Sequence, residues 1–507
     1  MQERIKEPPE NNSFLMNALG ITLSLLGGGL SAGIIIVLNR YMNPFVVLAL
    51  MVGIVVLAST IQSLDSGLVV LVFMIYTYFS DVAYHTYGIP SLLNPFVLFL
   101  IGLVLVRWLL TQNQPQGWQR AAVVTGMYGV VLFSSLLYAD SFELAWSTFI
   151  DYYLKNAILV ILISVLLTNK ESYRSVAWTL IAGALFLGTI SVVQYVTGTH
   201  DFNYFGFSVA REMNIIDDIG GIRQSGPFGA PNTFAQIMVV ILPLAMDRFW
   251  NENNPYHRYI ALFAAVIIFF TVIFTFSRSG FLALLLVIGL IALRHPPKPV
   301  LIILTLVGLV IILQFLPTNY LARMETIIDS IPGLGDRDIR SESSLRSRAT
   351  DMAVAWRMFL DHPILGVGYD NYTVHYLDYA RQIGLSLRGR IESAHSLFLE
   401  ILAETGLLGI TAFGFVLYTM FNTARRASKV FIQAGLPNYA SLVNAYSVGM
   451  LGYLTVSIFL HDTYPRYFWV FFGIIISSLH VAQNALQKTK KPYIIEQNHP
   501  KVSPIKK

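Results

Sequence analysis

The chemically most suggestive part of the chain is a polar segment from about Thr318 to Ala394, which interrupts an otherwise hydrophobic sequence. It contains nine arginines and no lysine, and His395 and Ser396 follow it directly. A guanidinium group is a permanently charged, planar fork that can grip two phosphate oxygens, whereas an ammonium group is a point charge. Histidine titrates near neutral pH and can accept or release a proton. The combination indicates proton transfer close to a diphosphate.

The acidic residues of the same segment limit that interpretation. Residues 318–395 contain ten acids against the nine arginines, so the segment is nearly neutral. Most of its arginines are therefore expected to form ion pairs or to line a solvated face. The functional ones have to be chosen by their context.

Local patterns predict two helices in this segment. Residues 343–360 show an amphipathic pattern that begins with serines and includes Arg348. The apolar residues that share one face of it are Met352, Trp356, Phe359 and Leu360. After Pro363 and a glycine-rich turn, a second helix is predicted from Tyr372 to Gln382, with Gly384 placed to cap it. We therefore expect a helical cap at the membrane surface.

The composition identifies the class of protein. Of the 507 residues, 55% are hydrophobic and 12% are charged, and the mean hydropathy is +0.60, which no ordinary soluble domain shows. We predict an all-α, polytopic membrane protein with about 12 to 14 transmembrane helices, because apolar runs near the roughly 20 residues needed to cross a bilayer recur along the chain. The 14 candidate spans lie near residues 15–38, 44–59, 64–80, 91–110, 120–138, 149–168, 174–197, 232–249, 257–276, 278–293, 299–316, 397–421, 440–460 and 466–484.

The basic residues predict the orientation. Lysine and arginine accumulate on the cytoplasmic side of membrane proteins. Ten of the 11 lysines, all except Lys155, fall on the side that holds both termini. The first 13 residues are polar, and the apolar run after them has no small-residue cleavage site, which predicts a retained anchor. We expect both termini in the cytoplasm and the long loop outside.

Two absences from the sequence exclude classes of site. The chain has no cysteine, which rules out disulfides and thiolate metal sites. It has no Gly-Lys dipeptide and no glycine-rich strand-to-helix fingerprint, so a phosphate-binding P-loop is absent. A nucleotide bound by a standard fold is not expected, and nothing points to a nucleic-acid partner.

Four motifs resemble the O-antigen ligase and polymerase superfamily in order and spacing. They are Phe-Ser-Arg-Ser-Gly at 276–280, Arg348 in its helix, His-Pro-Ile-Leu-Gly-Val-Gly at 362–368, and Ala-His-Ser-Leu-Phe-Leu-Glu at 394–400 followed by Glu-Thr-Gly-Leu-Leu-Gly at 404–409. The sequence departs from the family pattern at Ser396, where asparagine is usual, and at Met352, where tryptophan is common. Neither departure removes a charged group, so they concern fine geometry.

The resemblance covers about residues 215–415, and it suggests three regions. Residues 1–214 form an N-terminal transmembrane bundle. Residues 215–415 form an O-antigen ligase-like region that includes the extracytoplasmic loop 318–395. Residues 416–507 form the last transmembrane helices and a basic cytoplasmic tail.

The resemblance implies a glycosyltransferase of the GT-C kind in the bacterial cytoplasmic membrane. Such an enzyme transfers a glycan from an undecaprenyl-diphosphate carrier to an acceptor sugar outside that membrane, without a cofactor or a metal. The chemistry is consistent with this, because no nucleotide sugar is available there and an activated donor has to arrive on a lipid. Its leaving group is a diphosphate, whose developing charge calls for fixed cations.

The resemblance also assigns roles to residues. Arg278 and Arg348 match the family's paired arginines, and His395 matches its histidine, which would position or deprotonate the acceptor hydroxyl. Arg223 lies in a turn that resembles a family turn and is a candidate contact to phosphate or sugar. Glu400 and Glu404 share a helix face; they either orient a base or an arginine, or only hydrate the top of the helix.

Each of these assignments has a structural alternative. Arg278 could extend to lipid headgroups from the end of a span. Arg348 could pair with Asp351 or Asp361 inside the cap. His395 could be a solvated residue that precedes a helix.

Three further pairs are weaker candidates. Asp151 and Lys155, four residues apart, are expected to form an ion pair. Asp217 and Asp218 suggest a metal site less than a surface turn, because no histidine or third acid is near. His461 and Asp462 could be a second acid-base pair.

A second class of function remains open. A transporter of small anions such as bicarbonate would also need arginines and many spans, although it should place polar groups near the middle of the membrane in repeated halves. We find no such repeat. Within the enzyme class the sequence does not decide between a polysaccharide polymerase and a ligase, which differ in their acceptor.

Overall fold

The computed structural model describes residues 44–216, 219–296, 343–384, 393–461 and 466–497. The chain divides into two units, residues 1–67 and 68–507. The described part of the first unit is helix α1 and the beginning of α2. The candidate site lies in the second unit.

Helices make up most of the described chain. Those before the first strand are α1 (Pro44–Gln62), α2 (Leu64–Tyr76), α3 (Phe79–Tyr87), α4 (Leu93–Thr111), α5 (Trp118–Ser135), α6 (Phe142–Thr148), α7 (Lys155–Leu166) and α8 (Lys170–Thr197). Those after the second strand are α9 (Pro231–Asn251), α10 (Pro255–Phe274), α11 (Arg278–Arg294), α12 (Ser343–Asp361), α13 (Tyr372–Gln382), α14 (Leu397–Gln433), α15 (Pro437–Ser457) and α16 (Arg466–Gln497). A π-helical stretch, Phe149–Leu154, joins α6 to α7.

Eight helical segments in the described ranges are long and apolar enough to cross a membrane. A ninth span is possible if α2 and α3, which are bent by 55° at Tyr78, form one broken span. Every predicted span within the described residues is helical, and the predicted spans 15–38 and 299–316 lie outside them. The chain is thus a multi-pass membrane protein, and the count of about 12 to 14 spans stays a prediction.

Burial separates central from peripheral helices. In the most apolar stretch of α9 and of α16, 78% of the residues are buried inside the protein, against 17% in α4. The buried aromatic side chains of α16 include Trp469, Phe471 and Phe472. The centre of the bundle is therefore built around α9 and α16, and α4 has most of its surface uncovered by protein.

The expectation of an all-α protein needs one correction. Strands β1 (Ala210–Ile216) and β2 (Ile219–Gln224) form an antiparallel hairpin, in which Arg211 pairs with Arg223. The pairing has an irregularity between Asn214 and Ile216. The strands are short and carry charged and glycine residues, so they lack the alternating apolar pattern by which a strand is recognised in a sequence. The predicted boundary at 214/215 falls inside this hairpin, and the one at 415/416 falls inside α14; the three-region division stays a prediction.

The cap is formed in the described residues by α12 and α13, close to the predicted bounds. It has a core of its own against α14, made by Val354, Ala355, Met358, Val367, Tyr372, Tyr376, Tyr379, Ala380, Ala394 and Ala403. The packed face of α12 is therefore not the one predicted. Trp356 and Leu360 are 48% and 51% exposed and lie on the opposite side of the helix. The helix has two apolar faces, and the larger side chains on the outer one dominated the sequence pattern.

Several polar contacts attach the cap to the segment between α5 and the π-helical stretch. The Tyr138 hydroxyl donates to the Leu365 carbonyl at 2.8 Å, and the Ser141 N–H donates to the Asn371 side chain at 2.8 Å. The Thr148 hydroxyl donates to the Asp370 carboxylate, and His375 lies 3.5 Å from Asp140. These contacts link residues more than 200 positions apart in the sequence. They fix the position of the cap on this segment.

Two further groups of charges are formed by residues outside the cap helices. The predicted ion pair between Asp151 and Lys155 is confirmed at 2.6 Å, although about half of each side chain is uncovered by protein. Where α8 begins and α9 ends, Glu252 accepts hydrogen bonds from Arg174 at 2.8 Å and Arg248 at 3.1 Å. The buried Glu252 carboxylate therefore links α8 to the end of α9.

Candidate active site

A break in α14 forms the foundation of the site. Gly406 has φ 61° and ψ −157°, a backbone conformation that is essentially restricted to glycine. The break frees the carbonyl groups of the preceding turn and the N–H groups of the following one. The helix therefore needs partners for its backbone at this point.

Residues 363–368 supply those partners. The N–H groups of Val367 and Gly368 donate to the carbonyls of Ala403 and Glu404, both at 2.9 Å. In the other direction, the N–H groups of Leu407 and Leu408 donate to the carbonyls of Pro363 and Ile364, at 2.8 and 3.2 Å. The two glycine-rich motifs at 362–368 and 404–409 thus form one backbone-to-backbone junction between cap and span.

His395 is held at the start of the same helix. Its backbone has φ 50°, an uncommon conformation for a residue other than glycine. The next residue, Ser396, is the N-cap of α14, and its side chain accepts the N–H of Leu399 at 3.5 Å. A serine can therefore do here what the more usual asparagine does, since both types cap helices well. The departure at Ser396 preserves the capping function.

Asp351 from the cap lies against His395. The Nε2 atom of His395 is 3.6 Å from Oδ2 of Asp351, and their side chains are 16% and 2% exposed. This is ion-pair distance for a protonated ring and longer than a hydrogen bond. A carboxylate on one ring nitrogen favours a proton there, which leaves the other nitrogen, Nδ1, to accept one.

Two tyrosines fix Asp351. The Tyr376 hydroxyl donates to Oδ1 of Asp351 at 2.7 Å, and the Tyr372 hydroxyl donates to the Asp351 main-chain carbonyl at 2.9 Å. Burial raises the pKa of the Tyr372 phenol, and the negative charges of Asp351, Glu400 and Glu404 raise that pKa further. The Tyr372 phenol therefore stays protonated and remains a donor. The carboxylate is held in place from two sides.

Arg348 lies one helical turn before Asp351 on α12 and is half-buried. Side chains three residues apart on a helix are neighbours, about 5–6 Å between β-carbons. The cap thus brings an arginine and the partner of His395 to the same part of one helix. Of the two acids considered as structural partners for this arginine, Asp361 forms an ion pair with Arg357 at 3.1 Å. Pairing of Arg348 with Asp351 stays a prediction.

Arg278 is the first residue of α11 and is buried, with 8% of its surface exposed. Ser277 caps this helix by accepting the N–H of Gly280 at 3.2 Å. A β-carbon on Gly280 would lie 2.6 Å from the β-carbon of Ala235, so the glycine allows α11 to meet α9 closely. The Ser-Arg-Ser-Gly motif therefore positions the arginine where two spans pack together. An arginine that merely reached out to lipid headgroups would not be this buried.

A series of contacts places Arg278 and His395 at the same end of the bundle. The Gln236 side chain, next to Ala235 on α9, donates to the Ser457 hydroxyl at 2.8 Å. Three residues after Ser457, the last residue of α15, the Leu460 carbonyl accepts the N–H of Leu397 at 3.1 Å. The starts of α9, α11 and α14 and the end of α15 therefore lie together, on the side that carries the cap.

Arg223 is 4% exposed and bonded to protein groups. Its Nε donates to the Thr275 carbonyl at 2.8 Å, and its Nη2 donates to the Asn232 side chain at 3.1 Å. Strand β2 is thereby tied to the end of α10, three residues before Arg278. The geometry indicates that Arg223 supports the segment that carries Arg278, in addition to any contact with substrate.

Glu400 and Glu404 are both buried on α14. Oε1 of Glu404 accepts the N–H of Tyr372 at 3.4 Å, so this side chain holds the start of α13. Glu400 lies in the first turn of the helix that follows His395. The two acids therefore face the cap rather than open solvent, and hydration of the helix top does not account for them.

His461 is close to the site. Its ring centroid is 5.3 Å from that of His395, with the two planes at 76°. Its predicted partner Asp462 lies outside the described residues, as do Asp217 and Asp218. Within the described ranges, no group of three or more histidines and acids is arranged to hold a metal ion.

The sequence pattern predicts Asp351 only as a possible partner of Arg348 and not as a site residue. Its spacing from Arg348 was a signal, because a residue three positions away shares the helix face of a candidate catalytic group. The contacts made by Tyr372 and Tyr376 depend on how α13 folds back on α12 and had no signal in the sequence.

The comparison with protein families decides the class. Residues 263–414 match the family model described as O-antigen ligase. This part of the chain is similar to the O-antigen ligase family. The match ends where the resemblance at 215–415 ends and begins later, so it includes Arg278, Arg348, His395, Glu400 and Glu404 and leaves out Arg223.

This match confirms the resemblance to the O-antigen ligase and polymerase superfamily. It implies a membrane enzyme that transfers glycans and acts on lipid-linked glycan substrates. The alternative of an anion transporter receives no support. No curated protein matches the chain.

Proposed function

We propose that the chain is a glycosyltransferase that transfers a glycan from an undecaprenyl-diphosphate carrier to an acceptor sugar outside the cytoplasmic membrane. Both termini lie in the cytoplasm, and the cap and the helix ends around His395 lie outside. The observation that carries the proposal is the Asp351–His395 pair at the junction of cap and span, inside the matched O-antigen ligase domain.

In the proposed reaction, His395 accepts the proton of the acceptor hydroxyl through the nitrogen that does not face Asp351. The acceptor oxygen then bonds to the anomeric carbon of the donor glycan. The bond between that carbon and the diphosphate oxygen breaks, and its electron pair leaves with the carrier diphosphate. Asp351 stabilises the imidazolium that forms.

Arg278 and Arg348 act on the leaving group. Both are guanidinium groups, which bind phosphate oxygens in pairs and keep their charge in surroundings with little water. Arg278 is fixed by the bundle and Arg348 by the cap, so a diphosphate bound by both would connect the two parts. The charge that develops as the glycosidic bond breaks is stabilised where the cations are already in place.

The proposal can be tested with alanine variants in a strain that lacks the native gene. Arg278→Ala, Arg348→Ala and His395→Ala should each abolish formation of the polysaccharide and cause lipid-linked glycan to accumulate, while the protein still reaches the membrane. Arg357→Ala is the matched control, because Arg357 is on the same cap helix but forms an exposed pair with Asp361. Normal polysaccharide from all three site variants would refute the proposal.

A further inference from the structure

A cavity lies at the end of the bundle opposite the candidate active site. Its volume is about 380 Å³, and it is lined by the last turns of α9, α11 and α14 and by the first turns of α15. The other ends of these four helices lie on the side that carries the cap. In the proposed orientation, the cavity is therefore at the level of the cytoplasmic leaflet.

The lining is polar at the helix ends and apolar deeper in the bundle. Arg294 is the last residue of α11, and His295 follows it. Pro243 and Val448 lie about two and about three helical turns inside α9 and α15. A ligand that fits this lining has a polar group at the membrane surface and an apolar part toward the membrane interior.

Arg294 supplies the permanent positive charge of this lining. Its Nη1 donates to the main-chain carbonyl of Asn444 at 3.1 Å, which holds the guanidinium group against α15. A guanidinium group has five N–H donors. Arg294 forms no ion pair with any residue that the structure describes, so its charge and most of its donors are available to a ligand.

Asp247, an acid that also lines the cavity, is already neutralised. Nε of Arg248 donates to its Oδ2 atom at 3.0 Å, and the Ser441 hydroxyl donates to its Oδ1 atom. Glu252, the other acid that pairs with Arg248, has Arg174 as a second partner. Two arginines thus balance two carboxylates, and an anion bound near Arg294 does not face an unpaired acid from this group.

Two neutral groups of the lining can also contact a ligand. The Ser428 hydroxyl accepts from the Asn444 side chain at 3.3 Å and makes no other hydrogen bond among the described residues, so its own proton can be donated. His295 stacks on Trp250, with 4.3 Å between the centroids and 24° between the ring planes. Stacking leaves the ring nitrogens uncovered at the edge, and even a neutral imidazole has one N–H donor. The polar end of the cavity is thus rich in donors.

We infer that this cavity binds a phosphate group beside Arg294 and that a phospholipid of the same leaflet supplies it. Phosphate oxygens carry negative charge and accept hydrogen bonds, which matches the donors of Arg294 and Ser428. Basic pockets between spans on the cytoplasmic side bind lipid head groups for the same reason. The site is separate from the transfer reaction, and only its assignment to a leaflet rests on the proposed orientation.

Two features favour a lipid over free phosphate as the source. The apolar wall that includes Pro243 and Val448 offers the first carbons of a lipid a surface that free phosphate would not use. Arg425, Arg426 and Lys429 are exposed near the end of α14 and add positive charge at the same end of the bundle. Such charges attract anionic lipids.

The test is the thermal unfolding of the purified full-length protein in a neutral detergent. The probes are a short-chain phosphatidylglycerol, the diacylglycerol with the same chains, which lacks phosphate, and inorganic phosphate. We expect phosphatidylglycerol to raise Tm in a saturable way, as a ligand of the folded state does. The other two probes should raise Tm much less at the same concentration.

Variants connect this effect to the cavity. Arg294→Gln removes the charge but retains a donor for the Asn444 carbonyl, and it should raise the phosphatidylglycerol concentration needed for half of the effect at least about tenfold. Ser428→Leu fills the cavity, leaves Arg294 in place and should weaken binding to a similar extent. Arg425→Gln removes an exposed arginine outside the lining and should change that concentration less than about twofold. If one site variant already unfolds early without lipid, the other one decides.

Equal half-effect concentrations for the wild type and the site variants would overturn the inference, as would equal stabilisation by the diacylglycerol. Stabilisation by inorganic phosphate that matches that by phosphatidylglycerol and is lost in Arg294→Gln would show a soluble ligand and overturn the lipid source. Binding is measured without glycan transfer, so the proposed function stands or falls separately.

Discussion

Gly366 of the cap crosses α14 so closely that a β-carbon on it would lie 2.2 Å from the carbonyl carbon of Glu404. The contact is reciprocal, because a β-carbon on Gly406 would lie 2.4 Å from the carbonyl carbon of Ile364. Backbone meets backbone at this point, and neither side can yield as a flexible side chain would. The cap is therefore joined to the span at main-chain distance.

This crossing gives the first prediction. Gly366→Ala and Gly406→Ala should each separate the cap from α14 and reduce glycan transfer at least about tenfold, because both positions combine a positive φ with a backbone clash. Accumulation of lipid-linked glycan in intact cells measures the loss. Gly414→Ala, on the same helix in open space, is the control and should transfer normally. Wild-type transfer by both site variants would contradict the crossing.

The second prediction concerns the partner of the proposed base. Asp351→Asn should reduce the rate of transfer by about a hundredfold or more, because a neutral amide neither stabilises the imidazolium nor fixes the position of the ring proton. The amide oxygen can still accept the bond from Tyr376, so the cap should remain folded. Asp378→Asn, an exposed acid of α13 paired with Arg381, should have no effect. A loss of less than about threefold in Asp351→Asn would remove Asp351 from the mechanism.

The third prediction separates charge from shape. Arg278→Lys and Arg348→Lys retain a positive charge but lose the planar fork, and each should lower transfer at least about tenfold, since a lysine cannot bind two phosphate oxygens in the same way. The rate of donor consumption is the measurement. Arg357→Lys should behave as the wild type, because its exposed pair with Asp361 contributes little. Full activity of both site variants would show that a point charge suffices.

The fourth prediction concerns the outer face of α12. Trp356 and Leu360 are followed by exposed Ile364 and Leu365, and the backbone junction places these beside exposed Leu407 and Leu408 of α14. Such a continuous apolar surface at the end of a span is expected to lie in the outer leaflet. Because the chain has no cysteine, Leu360→Cys provides a single labelling site.

A nitroxide on that cysteine should be reached by oxygen and protected from a water-soluble nickel complex. Asp378→Cys, on an exposed position of α13, should be open to the nickel complex and should react from outside in spheroplasts. If the nickel complex reaches the label at position 360 as readily as a label at position 378, the outer face of α12 lies in water and the prediction is wrong. If the cysteine at 378 reacts only after the membrane is opened, the proposed orientation is wrong.

The fifth prediction is a pH dependence of the cap's attachment. Burial raises the pKa of the Asp370 carboxyl, and the hydrogen bond from Thr148 partly offsets this. The folded state therefore holds its proton at a pH where the unfolded state has lost it, and stability falls as pH rises from the ordinary aspartate value, near 4, through the raised value. Protection factors of the α13 amides, which correct for the base-catalysed intrinsic exchange rate at each pH, should be higher at pH 5 than at pH 8. Asp370→Asn should remove most of this difference, and an unchanged difference would exclude Asp370 as its source.

Local signals in the sequence were sufficient for the helices of the cap. Serines, Pro363 and Gly384 mark where α12 and α13 begin and end, and the structure places both helices within one residue of the prediction. These signals act over one helical turn. The motifs that predict His395, Arg278 and Arg348 are of the same local kind.

Contacts between distant segments could not be predicted in this way. The face of α12 that packs is decided by α13 and α14, so the large outer side chains were misleading. The position of Asp351 beside His395 joins residues 44 positions apart, and the hairpin at 210–224 depends on Arg223 reaching Thr275. Each of these is a tertiary contact, and the spacing of residues along the chain does not predict such contacts.

The break at Gly406 also limits how members of this family could be recombined. Four backbone groups of α14 are paired only because residues 363–368 lie against them, and an unpaired buried backbone group costs on the order of 1–3 kcal/mol. A chimera that received the loop of another protein but kept the α14 of this chain would leave these backbone groups unpaired at the edge of the bilayer, where water is scarce. The cap can therefore be exchanged only together with both residues 363–368 and the first half of α14.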